Sequence, residues 1–330
     1  MQENVPVILP KEKGFKQSFR RIWHTKKFQD RFWFIIFLLP VMIPFLLMVI
    51  TPFIMGIYYS FTNWTGGLFD TEWVGLANYR ALATDHRFIY SLYRTGIYSI
   101  LNVIVINAAA FGLALLVTRK LKLQNLYRAG FFIPNLFGGL IIGYLWQFIF
   151  LVVLGQAGLG LLNASPINNE NAMYALVVVV TWQYAGYIMM IYIAALQNVP
   201  EDLIEASQID GANAFQRLRH IVLPLIAQAF TVAMFLTLVT AFKQFDTVFS
   251  LTGGGPGTEL PQFIKNMVGI DPDRLVTVQS TRLIAYNIYN WGYARGNMAA
   301  AQAQAVAFFF MLAIISLGQV YFNKKREVEL

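Results

Sequence analysis

The chain has 330 residues, of which 57% are hydrophobic and 13% charged, whereas a soluble domain carries roughly 25% charged residues. Its formal net charge is +8 and it has no cysteine, so disulfides, thiolate catalysis and Cys-ligated metals are excluded. Its histidines, His24, His86 and His220, are far apart and form no ligand-spaced motif, so neither a metal nor a cofactor is expected. The apolar residues fall in long blocks, and about 20 of them suffice to cross the hydrocarbon core as a helix. The expected fold is therefore all-α: a polytopic membrane helix bundle of six spans with both termini cytoplasmic. Basic residues gather at block ends and are read as topological, not as a nucleic-acid surface.

Residues 1–31 read as a basic cytoplasmic tail, and not as a cleavable signal peptide, because the apolar block behind it is too long. Phe15, Lys16, Phe19, Arg20, Arg21, Trp23, Lys26 and Lys27 could lie on a membrane surface as an amphipathic helix. Residues 32–322 form the expected transmembrane domain, and 323–330 a short cytoplasmic tail. Span one is expected over residues 32–59, with Pro40, Pro44 and Pro52 inside it, and residues 60–91 as a loop with Trp64, Asp70, Glu72 and Trp73. Span two follows over 92–118, with small residues Ala108–Ala110 and Gly112. Span three, over 127–154, has Gly139 and Gly143 available for close packing. Span four covers 171–196, span five 221–249 and span six 298–322.

Orientation follows from the Lys/Arg count. Eight lie in residues 1–31; Arg119, Lys120 and Lys122 lie between spans two and three, with Arg128 at the inner end of span three; Arg217 and Arg219 precede span five; Lys324, Lys325 and Arg326 follow span six. The loop between spans three and four has none. Positive charge inside puts both termini in the cytoplasm. The extracytoplasmic segment 250–297 opens with Leu251-Thr252-Gly253-Gly254-Gly255-Pro256-Gly257, a turn. It lacks the Gly-Lys-Ser/Thr ending of a phosphate loop. Residues 259–280 read as a polar insertion.

The segment 198–224 is the most informative. Pro200 suits a first helical turn, and Glu201 with Asp202 sits where the helix dipole favours negative charge. Leu203, Ile204 and Ala206 can share an apolar face. Gly211 can take the left-handed conformation that ends a helix, and a second helix then leads into span five. A plain helical hairpin is the alternative. Glu205-Ala206-Ser207, three residues, Gly211, nine residues, Ile221, one residue and Leu223-Pro224 resembles the signature loop of membrane subunits in binding-protein-dependent ABC importers, with Ser207 in place of an alanine. Ile133-Pro134, Thr181-Trp182, Gly254-Gly255-Pro256 and Gly292-Tyr293-Ala294 are similar to the carbohydrate branch, especially the larger membrane subunit of maltose-type importers and its glycerol-phosphate relatives.

This resemblance implies a coupling helix docking on a cytoplasmic ATPase, with Glu201, Glu205, Ala206, Ser207, Asp210, Gly211 and Ala212 at the contact. It also implies a second permease subunit, forming a heterodimer, two ATP-binding-cassette ATPase subunits, an extracytoplasmic solute-binding protein and a bacterial inner-membrane location. The chain has no nucleotide-binding motif, so it is not expected to be an enzyme. Amides and aromatics inside spans suit a sugar's hydroxyls and ring faces. The expected substrate path is Asn135, Gln183, Tyr184, Tyr187, Lys243 and Gln244, and the resemblance adds Gly139, Thr240 and Ala241. Interhelical packing is the competing role for each of these, and Asn102 and Asn107 are assigned to packing. Lys243 and Asp246, at i and i+3, are read as a pair on one helix face, with Lys243 facing an acidic substrate as the alternative. An ion-driven transporter usually shows repeated halves and intramembrane carboxylates; no repeat is found, and Asp246 is the only acidic candidate.

Overall fold

The computed structural model describes residues 26–67, 71–119, 122–154, 167 and 171–324. The tail through Trp23, Asp70, Lys120, Lys325 and Arg326 lie outside the described residues. The chain divides into two units, Met1–Tyr58 and Tyr59–Leu330.

In the first unit α1 (Lys26–Phe45) runs through a π turn (Leu46–Ile50) into α2 (Thr51–Tyr59). Gln29–Tyr59 counts as one apolar helix of mean hydropathy 2.8. Pro44 and Pro52 bracket the π turn. Each lacks an N–H and so leaves a carbonyl without its helical donor. The Thr51 hydroxyl donates to the Leu46 carbonyl at 2.9 Å within that turn.

The second unit opens with a turn bridged at Thr62 and Trp73. It is followed by α3 (Ala77–Thr84) and α4 (His86–Val117). The expected loop therefore ends early. Asp85 caps α4 by accepting from the Arg87 N–H at 3.0 Å, so the helix starts six residues before the expected span. Span three is broken. α5 (Gln124–Phe132) ends in a 3-10 turn (Ile133–Leu136), and α6 (Gly139–Phe148) leaves at a bend of 98° before a π turn (Ile149–Val153). α7 (Ala172–Gln197) is continuous. α8 (Glu201–Ile209) and α9 (Ala214–Arg217) lead through a π turn (Leu218–Val222) and α10 (Leu223–Leu225) into α11 (Ala227–Phe242). A bend of 71° separates α11 from the segment before it. Span five also stops short of expectation: α11 ends at Phe242, and α12 (Asp246–Leu251) is a separate helix.

The insertion is ordered. β1 (Gly257–Glu259) and β2 (Thr277–Gln279) pair antiparallel around α13 (Gln262–Val268). The expected turn at 251–257 is thus trimmed at both ends, since Leu251 is helical and Gly257 begins β1. α14 (Ile284–Tyr289), a π turn (Asn290–Ala294) and α15 (Met298–Lys324) complete the chain. Among the described residues four helices are long and apolar enough to cross a membrane, or six if each bent pair is one span.

α7 is the central helix of the second unit. Its most apolar window is 61% buried, against 33% for α4 and 17% for α15. Leu176, Val180, Ile188 and Met189 meet Ile106, Ala110 and Ala114 of α4, Ala233 of α11 and Val248 of α12 in one core. Helices this apolar gain little by hiding from lipid; close packing and interhelical hydrogen bonds hold them. Asn107 shows both. Its Nδ2 donates to Thr237 at 2.9 Å and to the Val103 carbonyl at 2.7 Å, and its Oδ1 accepts from the Tyr192 hydroxyl at 2.7 Å. One amide therefore ties α4, α7 and α11. Of the small residues expected to pack in span two, Ala110 is buried, whereas Ala108 is exposed and a Cβ on Gly112 would meet nothing within 4 Å. At Gly143 the expectation holds, because an added Cβ would overlap the Ser250 hydroxyl of α12.

Arg282 anchors the segment before α15. It is buried, and it donates to Asn287 at 2.6 Å, Gln279 at 3.0 Å and Asn290 at 2.7 Å. Burial first, and then the Arg87 charge, push its pKa below the ordinary guanidinium value.

Candidate functional site

Two places carry the candidate residues: the segment 200–224 and the break between α11 and α12. In the first, Pro200 takes the N-cap position, one residue ahead of the expected helical turn, and Glu201 and Asp202 occupy the first turn. The end of α8 is a complete C-cap. Gly211 has φ +78°, its N–H donates to the Gln208 carbonyl at 3.1 Å, and Ala212 N–H donates to the Ser207 carbonyl at 2.9 Å. Those two bonds are the Schellman pair, and a left-handed residue is required to make them.

Asn213 then restarts the chain. Its Oδ1 accepts from the Gln216 N–H at 2.9 Å while Gln216 Oε1 accepts from the Asn213 N–H at 2.8 Å, a reciprocal capping box. This cap was readable as Asn-x-x-Gln and was missed. Arg217 closes the turn by donating to the Ala212 carbonyl at 2.7 Å. The inward face of α8 is Ile204 and Ser207, with Ser207 donating to the Ile204 carbonyl at 2.7 Å. Leu203 and Ala206 of the expected apolar face are exposed instead. Also exposed are Glu201, Glu205, Asp210 and Gly211. The outermost side chains are apolar: Ile209 is 87% exposed and Phe215 68%. Along α8 a cavity of about 690 Å³ is lined by Glu201, Ile204, Glu205, Arg119, Gln124 and Leu196 among others.

The second place is built by packing. α12 lies against α6, where Cβ atoms added to Gly139 would stand 2.8 Å from Asp246 Cβ and 3.1 Å from Thr247 Oγ1. This contact turns the chain aside after Phe242, though no Gly or Pro marks the break. Gly139, Tyr184, Thr240, Lys243, Gln244, Phe245 and Asp246 line the resulting cavity of about 230 Å³. Lys243 is the C-cap that follows α11 and Asp246 begins α12, so the expected single helix face does not exist. The only ion pair among the described residues is Lys265–Glu259; Lys243 and Asp246 share a cavity but are not bonded.

A second cavity of about 130 Å³ is lined by Asn102, Tyr184, Tyr187, Thr237, Thr240 and Ala241, among others. Tyr184 and Thr240 wall both cavities. Of the six expected path residues, Tyr184, Tyr187, Lys243 and Gln244 are thus brought together. Gln183 is buried, and its Nε2 donates to the Phe137 carbonyl at 3.1 Å, where it holds the α5–α6 break. Asn135 sits half-buried in the 3-10 turn and lines neither cavity.

Residues 109–328 match the family described as binding-protein-dependent transport system inner membrane component. A probable starch degradation products transport system permease protein of Thermoanaerobacterium thermosulfurigenes is 40% identical over 93% of this chain and 99% of its own. A multiple sugar-binding transport system permease protein of Streptococcus mutans is 27% identical over 92% and 99%. Among solved structures, a chain of a bacterial ABC transporter that imports the acidic polysaccharide alginate superposes with a TM-score of 0.70 at 19% identity, covering 92% of this chain and 99% of that one.

Proposed function

Because the chain belongs to the binding-protein-dependent transport system inner membrane components, we propose that it is the permease subunit of an ATP-driven sugar importer. In this reading each bent pair is one span, giving six, and both termini lie in the cytoplasm. The domain bounds are those expected from sequence: a tail to 31, a transmembrane domain over 32–322, and a final tail. The chain hydrolyses nothing; a separate pair of ATPase subunits does so. A second permease subunit completes the path, and an extracytoplasmic solute-binding protein delivers the sugar. The membrane is the inner membrane of a bacterial cell.

One observation carries the reading: the capped knob over 200–217, with Ile209 and Phe215 bare at its tip. Large exposed apolar side chains on a rigid polar element mark a protein contact. On the same element Glu201, Glu205, Ala206, Asp210 and Gly211 are exposed, Ala212 is half-buried and Ser207 is buried. Sugar contact belongs to Tyr184, Tyr187 and Gln244, whose phenols and amide match hydroxyls and ring faces. Lys243, exposed and without a carboxylate partner among the described residues, supports a second reading in which the cargo is an acidic oligosaccharide or a glycerol-phosphate compound.

The absence of native cysteine makes the test direct. Ile209→Cys and Phe215→Cys should each crosslink to a cysteine-bearing ATPase subunit in reconstituted importer, and Ile209→Asp should abolish maltotriose uptake. No crosslink together with unimpaired uptake in Ile209→Asp would overturn the coupling assignment. Lys243→Ala separates the cargo readings, because only an acidic cargo loses uptake by it.

A further inference from the structure

α4 contains two buried asparagines with opposite fates. Asn107 has three hydrogen-bond partners, as described above. Asn102, five residues earlier, is fully buried, and neither its Oδ1 nor its Nδ2 has a partner. One turn before it Tyr98 is also fully buried; its hydroxyl faces the Asn102 amide without completing a hydrogen bond, so it can satisfy at most one position of that amide. A buried polar group left unsatisfied loses its hydration without return, so native structures keep such groups when something else satisfies them. Asn102, with Ile106, also brings α4 to the smaller cavity and is its polar residue there, beside Tyr184, Tyr187, Thr237 and Thr240. Sequence alone put both asparagines in the same packing role; their surroundings separate them.

We propose that Asn102 is a sugar-contacting residue and forms the α4 wall of the substrate site, with the Tyr98 hydroxyl behind it. The inference rests on the sugar-importer reading and extends it to a helix that reading leaves out. A carboxamide carries two donors and two acceptor positions. It can therefore accept from one sugar hydroxyl while donating to its neighbour, and Tyr184 and Tyr187 supply apolar surface for the ring. A site built to hydrogen-bond a hydroxyl rejects the analogue lacking it far more strongly than an apolar pocket rejects an added group. Asn102 thus selects for hydroxyl arrangement at this subsite, independently of the charge that Lys243 contributes.

The test uses the complete importer in proteoliposomes, with its binding protein saturated in maltotriose or in monodeoxy maltotrioses. The readouts are sugar imported per ATP hydrolysed and the thermal midpoint in detergent. Asn102→Leu is expected to lower maltotriose import per ATP at least tenfold while leaving the midpoint unchanged or higher. Tyr98→Phe, which keeps the ring, is expected to lower it about threefold. One monodeoxy sugar should be imported equally poorly by wild type and Asn102→Leu, which identifies the contacted hydroxyl. Unchanged import per ATP in both variants would overturn the role of Asn102 and leave the importer reading standing. Import that falls only in step with a lowered midpoint would likewise overturn it, as a packing defect. A wild-type importer that moves none of these sugars would overturn the neutral-sugar cargo and this proposal with it.

Discussion

Gly211 offers a substitution whose effect is purely conformational. Its φ is +78°, and a Cβ added there would meet nothing within 4 Å. A side chain at this position therefore meets no neighbour; it only penalises the left-handed backbone. That penalty is roughly 1–2 kcal/mol for an L-residue, smallest for Asn and larger for a β-branched side chain. The two Schellman bonds, Gly211 N–H to Gln208 and Ala212 N–H to Ser207, depend on that backbone. If the ATPase subunit recognises the capped knob, a penalty of about 1–2 kcal/mol weakens association by about 5- to 30-fold. The series Gly211→Asn, Gly211→Ala and Gly211→Val should then lose ATPase binding and sugar-stimulated ATP hydrolysis in that order. Thermal unfolding should barely move, because the turn is exposed. Binding measured by pull-down titration, with uptake in parallel, checks this. A Val variant that binds and transports as the wild type does would refute the reasoning, since no steric compensation is available to hide the strain.

At the α6–α12 contact, Gly143→Ala should lower the thermal midpoint by an amount equivalent to about 1–3 kcal/mol, the usual cost of overpacking. The added methyl overlaps the Ser250 side chain, so Ser250→Gly in the same chain should restore most of it, as a double-mutant cycle in detergent would show. Arg282→Lys keeps the charge but cannot make all three amide contacts of the guanidinium. Leaving buried amide oxygens unsatisfied should cost about 1–3 kcal/mol, read as faster hydrogen exchange over residues 279–290.

The long apolar helices and the knob were readable because each rests on local signals. Blocks of apolar residues mark α4, α7 and α15, and Gly211 with its acidic first turn marks the ends of α8. The two breaks were not. Lys243 to Phe245 has no Gly, Pro or capping residue; the chain turns there because Gly139 and Gly143, about 100 positions earlier, let α12 lie flat on α6. Gln183 and Asn102 failed for a related reason. Both are amides on apolar helices, and only the neighbouring helices decide whether an amide ends up bonded like Asn107, tied to a carbonyl like Gln183, or orphaned beside a cavity like Asn102. Asp85 and the Asn213–Gln216 box, by contrast, are caps whose signal is local to the sequence.

The bend at Ile226 makes the segment before α11 a crank. Ile226 is buried, its N–H donates to the Val222 carbonyl at 3.1 Å, and its carbonyl accepts from Ala229 and Phe230 at 2.9 and 3.3 Å, so the elbow is braced from both arms. At 1.5 Å per residue the arm over 214–225 is about 18 Å long and α11 about 24 Å. A push of about 5 Å at the short arm then swings the far end of α11 by between 6 and 7 Å, roughly one helical turn. That far end is Phe242, next to Lys243 and Gln244. In the proposed importer the elbow would gear a small tug at one end of the chain into a larger sweep of the wall assigned to cargo.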